Sequence, residues 1–291
     1  MLQQTQVKTV IPYFEKFTTK FKSLESLSRS NEKKILKLWE GLGYYRRAKN
    51  LLSCSRKLVN HYGSRLPKTL GEVKKLPGIG DYTGNALLGL VYNQPTIALD
   101  GNVKRVISRI LNKTENKIDF KKFIRINKNK LLSSGRNADF VEALMEFGAL
   151  VCKPKFPRCA DCCIYKVCKY SKSSNKFNYT EKKFIKIKNY NIFCYLNKKK
   201  QIALTKNNQI GFLKNFNLPE IKEKENFKNQ NWKFLKSYKN SISNLKLNIN
   251  LYYKFSNKIP PTYDWYSLNK NDEFIPSFTK RIFKQVSVLF S

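Results

Sequence analysis

No run of about 18 apolar residues occurs in the 291-residue chain, which excludes a membrane-spanning helix of ordinary length. The N-terminus, MLQQTQVKTVIPYF, has no basic stretch followed by an apolar one, so it does not read as a secretory signal. No segment repeats at a fixed period, which sets solenoids aside. Histidine occurs once, as His61 before Tyr62-Gly63, where it reads as a helix C-terminal cap. Acids are scarce: 20 Asp and Glu stand against 57 Lys and Arg, a formal net charge of +37. Arginine is thin as well, and after Arg158 only Arg281 remains. A field this positive favours a polyanionic partner, nucleic acid ahead of an anionic membrane surface. A nucleotide bias in the encoding gene gives the same Lys-for-Arg pattern, so the charge suggests nucleic acid without establishing it.

What the chain does have is packing material. Hydrophobic residues make up 41% and aromatics 13%, too much for a disordered polycation. The length suits two domains, each able to bury its own core. Residues 1 to about 168 show apolar positions at three- and four-residue steps, as in Val7, Val10, Ile11, Phe14 and Phe17, or Val103, Val106, Ile107 and Ile110. This half reads as all-α. Residues 171–181, SKSSNKFNYTE, read as a linker. Beyond it, Phe184–Leu196, Ile202–Leu204, Phe212–Leu218 and Leu245–Phe255 read as strands, and Asn226–Tyr238 and Phe278–Phe290 as helices. The expected second domain, 182–291, is a smaller α+β unit.

Four cysteines, Cys152, Cys159, Cys162 and Cys168, stand at C-x6-C-x2-C-x5-C. Four thiolates in a short loop-rich segment can converge on one soft metal centre, either an iron–sulfur cluster or a structural zinc. Disulfides suit a reducing compartment poorly. Cys163 breaks the register, and Cys54 and Cys194 read as small buried residues.

A second pattern is Leu76-Pro77-Gly78-Ile79-Gly80-Asp81-Tyr82-Thr83-Gly84. Gly78 and Gly80 allow positive φ and leave backbone N–H groups unobstructed at the start of a helix. Such an end can hold a phosphate through its amides and dipole. This helix–hairpin–helix pattern grips a nucleic-acid backbone without reading sequence. A third segment, Leu99-Asp100-Gly101-Asn102-Val103-Lys104-Arg105-Val106, follows it; taken alone, Asp100 reads first as a helix N-cap.

Hairpin, LDGNVKRV and the four-cysteine loop, in that order, resemble the endonuclease III-like superfamily of DNA glycosylases. Within it, Met1–Val7 (MLQQTQV) and Gly41–Ala48 (GLGYYRRA) look like the adenine DNA glycosylases of the MutY type. The resemblance covers residues 1–170 closely and the remainder loosely. It implies a helical core, 1–170, made of a hairpin lobe (about 7–95) and an iron–sulfur lobe (about 96–170) carrying a [4Fe–4S] cluster on Cys152, Cys159, Cys162 and Cys168. A Nudix-like C-terminal domain then reads the lesion. The implied activity is removal of adenine mispaired with 8-oxoguanine or guanine in double-stranded DNA, by a cytoplasmic, nucleoid-associated monomer with no membrane attachment. Such an enzyme flips the base out of the duplex. Asp100 stabilises the cation that develops on the sugar, with Tyr82 and Asn102 beside it. Gln4, Thr5 and Tyr44 contact DNA, the first and last as wedges in the stack, and so do Gly78, Gly80 and Lys104. Endonuclease III relatives carry a nucleophilic Lys at the place of Tyr82, and a phenol cannot form their Schiff base. A bifunctional lyase is therefore the weaker alternative.

The chain departs from the family pattern in three places. The family's general acid is a Glu two residues before the Met of MLQQT, which here is Met1. Such a donor contributes about 10² to 10⁴ in rate. The expectations are that the true start lies upstream and that the polypeptide as written has little glycosylase activity, with a catalytically silent DNA-binding protein as the other outcome. Equal activity of the chain and an upstream-extended version would remove the argument. Glu142 stands where the family has a Gln that contacts the flipped base; an ionised Glu accepts hydrogen bonds but donates none. The lesion-reading loop has its nearest counterpart in Tyr238–Asn244, where Ser243 is the surviving hydrogen-bonding residue. No acidic Nudix box is present, so pyrophosphatase activity is not expected.

Overall fold

The computed structural model describes residues 1–3, 5–132, 135–174, 176–177, 186–208, 210–211, 213–223, 231–242, 245–269 and 273–290. Of the expected site residues, Gln4 and Ser243 lie outside that set. The helices are α1 (Val7–Lys20), α2 (Leu24–Ser28), α3 (Glu32–Leu38), α4 (Arg46–Tyr62), α5 (Leu70–Val73), α6 (Asp81–Tyr92), α7 (Gly101–Leu111), α8 (Phe120–Leu131), α9 (Asn137–Glu146), α10 (Lys169–Lys172) and α11 (Ser277–Val286). The strands are β1 (Lys186–Asn197), β2 (Gln201–Leu204), β3 (Glu220–Glu223), β4 (Lys233–Ile242), β5 (Leu245–Phe255) and β6 (Asp264–Ser267). A helical core followed by an α+β C-terminal part is the architecture expected.

The chain forms two compact units. One holds Met1–Lys22, Ser30–Lys49 and Lys183–Ser291; the other holds Ser23–Arg29 and Asn50–Lys182. This grouping cuts across the linker expected at residues 171–181, because residues 37–45 hold the segment 273–280. In that unit Glu40 is the anchor. Its carboxylate accepts from Lys280 Nζ at 3.0 Å, from the Ile275 amide at 3.2 Å and from Lys37 Nζ at 3.1 Å. Partial burial opposes its charge, but these donors outweigh that and hold its pKa low. Tyr45 shares a 3.0 Å hydrogen bond with Ser277 and packs its ring edge-on to Phe274.

The sheet in the same unit runs β4-β5-β1-β2-β6, with β3 paired to β1. β1 lies parallel to β5 from Lys186↔Leu245 to Leu196↔Phe255, and β4 pairs antiparallel with β5 up to Ile242↔Leu245. Helix α11 buries Phe278, Ile282, Phe283 and Val286, and Arg281 Nη1 donates to Asn240 Oδ1 at 2.6 Å.

Two sequence expectations are corrected here. Residues 233–238 are strand, not the end of a helix; Leu235 and Tyr238 mimic a helical step, but pairing with β5 decides the conformation. The remainder of that expected helix, 226–230, lies outside the described residues. Residues 213–218 are turn and loop with a single bridge, Thr205↔Leu218, and the strand falls later, at β3. β6 was not expected at all.

In the other unit, α7 runs through the core. Ile97, Val103, Ile107 and Leu132 form one apolar cluster, joined by Phe120, Phe123 and Phe140. Ala86, Ala98 and Val141 form a second, against which Tyr82 and Met145 pack.

Candidate functional site

The hairpin is α5, a turn and α6. Gly78 has φ +79°, and a Cβ there would lie 2.7 Å from Asn50 Cβ, so both conformation and space require glycine. Gly80 differs from expectation: it is extended, at φ −102°, and serves as the N-cap of α6. The amides at the start of α6 are flanked by the Lys74–Asp81 ion pair at 2.5 Å. Gly78→Ala is expected to cost about 1–3 kcal/mol, read as a lowered melting temperature, and to weaken duplex binding in parallel. Unchanged values of both would show that the turn tolerates a side chain.

Asp100 sits at the N-terminus of α7 and does two jobs. Its Oδ1 accepts from the Val103 amide at 2.7 Å, an N-cap, while Oδ2 accepts from Asn102 Nδ2 at 3.0 Å. The N-cap reading made from the sequence holds, and the cap fixes the carboxylate's orientation. Asn102 is fixed in turn by Arg105, whose Nη2 donates to Asn102 Oδ1 at 2.8 Å and to the Gly148 carbonyl at 2.7 Å. Arg105 Nε donates to the Cys152 carbonyl at 2.9 Å. A Cβ on Gly148 would lie 2.7 Å from Asn102 Cβ, so this close approach also needs glycine. A continuous run of contacts thus joins the Asp100 carboxylate to the first cysteine.

Tyr82, on the first turn of α6, is half-buried, and its hydroxyl points to Met145 Sδ at 3.7 Å. Burial, and then the Asp100 charge, push its pKa up, so it stays a neutral phenol near physiological pH. Glu142 lies on α9 three residues before Met145 and is exposed. Lys104 Nζ lies over the Phe120 ring at 5.7 Å.

The cysteines follow a single widened, π-helical turn, 147–151, that ends α9. Cys152, Cys159, Cys162 and Cys168 all line one pocket, with Arg109, Ile164 and Tyr170 among its other walls. Burial raises the Cys162 pKa, and the thiols of Cys163, Cys152 and Cys168 add to it. Cys163 is exposed and Cys194 fully buried.

In the first unit, Arg47 organises the N-terminal segment. Its guanidinium donates to the carbonyls of Met1, at 2.6 Å, and Gln3, to Thr5 Oγ1 at 3.0 Å, and to the Gly43 carbonyl at 3.4 Å. The same group stacks on Tyr44, 5.0 Å from the ring centre. Tyr44 itself has φ +48° and is 42% exposed. The structure thus brings Thr5 and Tyr44 together through a residue that sequence reasoning did not single out. The available signal was an adjacent arginine pair, Arg46-Arg47, in a chain that otherwise prefers lysine.

A glycine-tight hairpin followed by a capped Asp and a four-cysteine loop is the arrangement of the helix–hairpin–helix base-excision class. Residues 1–129 match the HhH-GPD superfamily of base excision DNA repair proteins. The core resembles a thermostable thymine-DNA glycosylase (28% identity, TM-score 0.53, 59% of this chain and 80% of that one). A non-covalent endonuclease III–DNA complex shares the fold at 20% identity and TM-score 0.50, over 58% of this chain and 78% of that one. Among sequence relatives, the adenine DNA glycosylase of Buchnera aphidicola subsp. Baizongia pistaciae is 34% identical over 287 residues, which is 92% of this chain and 82% of that protein. The Homo sapiens adenine DNA glycosylase is 36% identical over 172 residues, 58% of this chain and 32% of that protein. The chain belongs to the adenine DNA glycosylase family. No described helix is long and apolar enough to cross a membrane.

Proposed function

We propose that the protein is a monofunctional glycosylase that hydrolyses the N-glycosidic bond of adenine mispaired with 8-oxoguanine or guanine in double-stranded DNA. It acts as a monomer, in the cytoplasm and on the nucleoid through its DNA. The observation that carries this reading is the Asp100 carboxylate, held from both oxygens and neighboured by a neutral phenol rather than an amine. As the bond to adenine breaks, positive charge grows on the sugar. A carboxylate already fixed beside it lowers the barrier without reorganising. Asn102 keeps that carboxylate in place, and Tyr82 shapes the pocket wall with Met145. Glu142 meets the base edge as an acceptor. Gly78, Gly80 and Lys104 contact the backbone, Thr5 and Tyr44 contact the duplex near the lesion with Gln4, and Ser243 hydrogen-bonds 8-oxoguanine.

The cysteines fit a [4Fe–4S] cluster. They line one pocket, a set of four soft thiolate donors from a single loop. Such a cluster, when bound, ties the loop together through four metal–thiolate bonds; excision rests on the residues around Asp100.

A single-turnover assay on duplexes with adenine opposite 8-oxoguanine tests the reading, with strand incision scored both before and after alkali. Adenine release with alkali-dependent incision is expected. Tyr82→Lys adds the one group a lyase needs, an amine near Asp100. It is expected to gain borohydride-trappable strand incision that the parent lacks. A parent that already incises without alkali would favour the bifunctional lyase.

A further inference from the structure

The chain draws most of its positive charge from lysine, and no arginine occurs between Arg158 and Arg281. Two arginines on α7 are nevertheless buried, Arg105 at 0% and Arg109 at 3% exposure. Neither faces solvent enough to hold a phosphate. Arg105 serves Asn102, as described above. Arg109, one turn further on, serves the cysteine loop. Its Nη1 donates to Lys153 O at 2.6 Å, and to both the carbonyl and the sulfur of Cys152 at 3.3 Å. Its Nη2 donates to Pro154 O at 2.8 Å. The Tyr170 ring lies 5.2 Å from Cζ, and the Arg109 carbonyl accepts from Cys168 Sγ at 3.5 Å. One planar fork spans three consecutive residues and a ligand sulfur. A lysine ammonium, a single point of charge, cannot hold that set.

We infer that Arg109 is the positioning residue for the Cys152 arm of the cluster and sets the cluster's electron affinity. The inference rests on the cluster reading of the four cysteines. An N–H donated to the ligand sulfur, with a buried cation behind it, draws charge from the thiolate and stabilises the more reduced cluster. Without it the potential falls, and the Cys152 corner is the first to release iron.

The test uses the full chain isolated without oxygen, as wild type, Arg109→Met, Arg109→Lys and Lys155→Met. The last removes an exposed charge from the same loop and leaves the fork intact. Iron and sulfide are counted first. The midpoint potential of the 3+/2+ couple is then measured, and conversion to the three-iron form is followed by electron paramagnetic resonance under ferricyanide. In that reaction ferricyanide takes one electron and becomes ferrocyanide, and the oxidised [4Fe–4S]³⁺ splits into [3Fe–4S]⁺ and Fe²⁺. Arg109→Met is expected to lower the potential and to speed conversion about tenfold. Arg109→Lys should fall between it and wild type, and Lys155→Met should match wild type. A general loss of stability would lower melting temperature without moving the potential. Wild-type potential and conversion rate in both Arg109 variants would overturn the inference. Should Arg109→Met not fold, Arg109→Lys decides: faster conversion supports the inference, and a wild-type rate overturns it. Wild-type protein without iron overturns the cluster reading itself, and this inference with it.

Discussion

Asp100→Asn is expected to slow single-turnover adenine excision by about 10² to 10³ and to leave folding and duplex binding close to normal. The measurement belongs in the more active of the chain and its upstream-extended form. The substitution keeps the cap while removing the charge. Asn is as good an N-cap as Asp, so the bond from the Val103 amide at 2.7 Å has an acceptor of the same shape. The anion is removed, together with the acceptor that Oδ2 presents to Asn102 Nδ2. An effect confined to the chemical step would show that the carboxylate acts on the transition state. A melting temperature that falls together with the rate would instead make Asp100 mainly a structural cap.

The second large effect is expected at Arg105. Arg105→Met fills much of the space but orphans the acceptors at Asn102, Gly148 and Cys152, in a residue that is fully buried. Hydrogen bonds to a charged donor are worth about 1.5–3 kcal/mol each, so the loss should reach about 3 kcal/mol or more. Because the same guanidinium fixes Asn102 and the start of the cysteine loop, excision and iron content should fall together. Chemical denaturation and iron analysis on one preparation measure both. A loss below about 1 kcal/mol would place Arg105 among ordinary substitutions.

How much of this was legible in the sequence differs from residue to residue. The hairpin glycines, Asp100, Tyr82 and the cysteine spacing were readable because each depends on local backbone or on ligand order. Even there the sequence left Asp100 divided between cap and catalytic carboxylate, and the fold shows the cap. Arg47, Arg105, Arg109 and Met145 were not singled out. Each gains its role from a partner 40 or more positions away, and periodicity carries no such information. β4 was misread because its apolar spacing is locally ambiguous, and antiparallel pairing with β5 is what settles it. The packing of Glu40 and Tyr45 against residues 274–280 was equally invisible, since it depends on a carboxylate finding an amide 235 positions on.

The central claim is that a fixed carboxylate beside a neutral phenol excises adenine and does not cut the strand. The most direct measurement is single-turnover product analysis on a duplex carrying adenine opposite 8-oxoguanine, comparing wild type with Asp100→Asn. Free adenine released by wild type, with strand breaks only after alkali and both lost in the variant, is the predicted result. Release of no adenine by the chain or its upstream-extended form, or strand breaks without alkali, would contradict it.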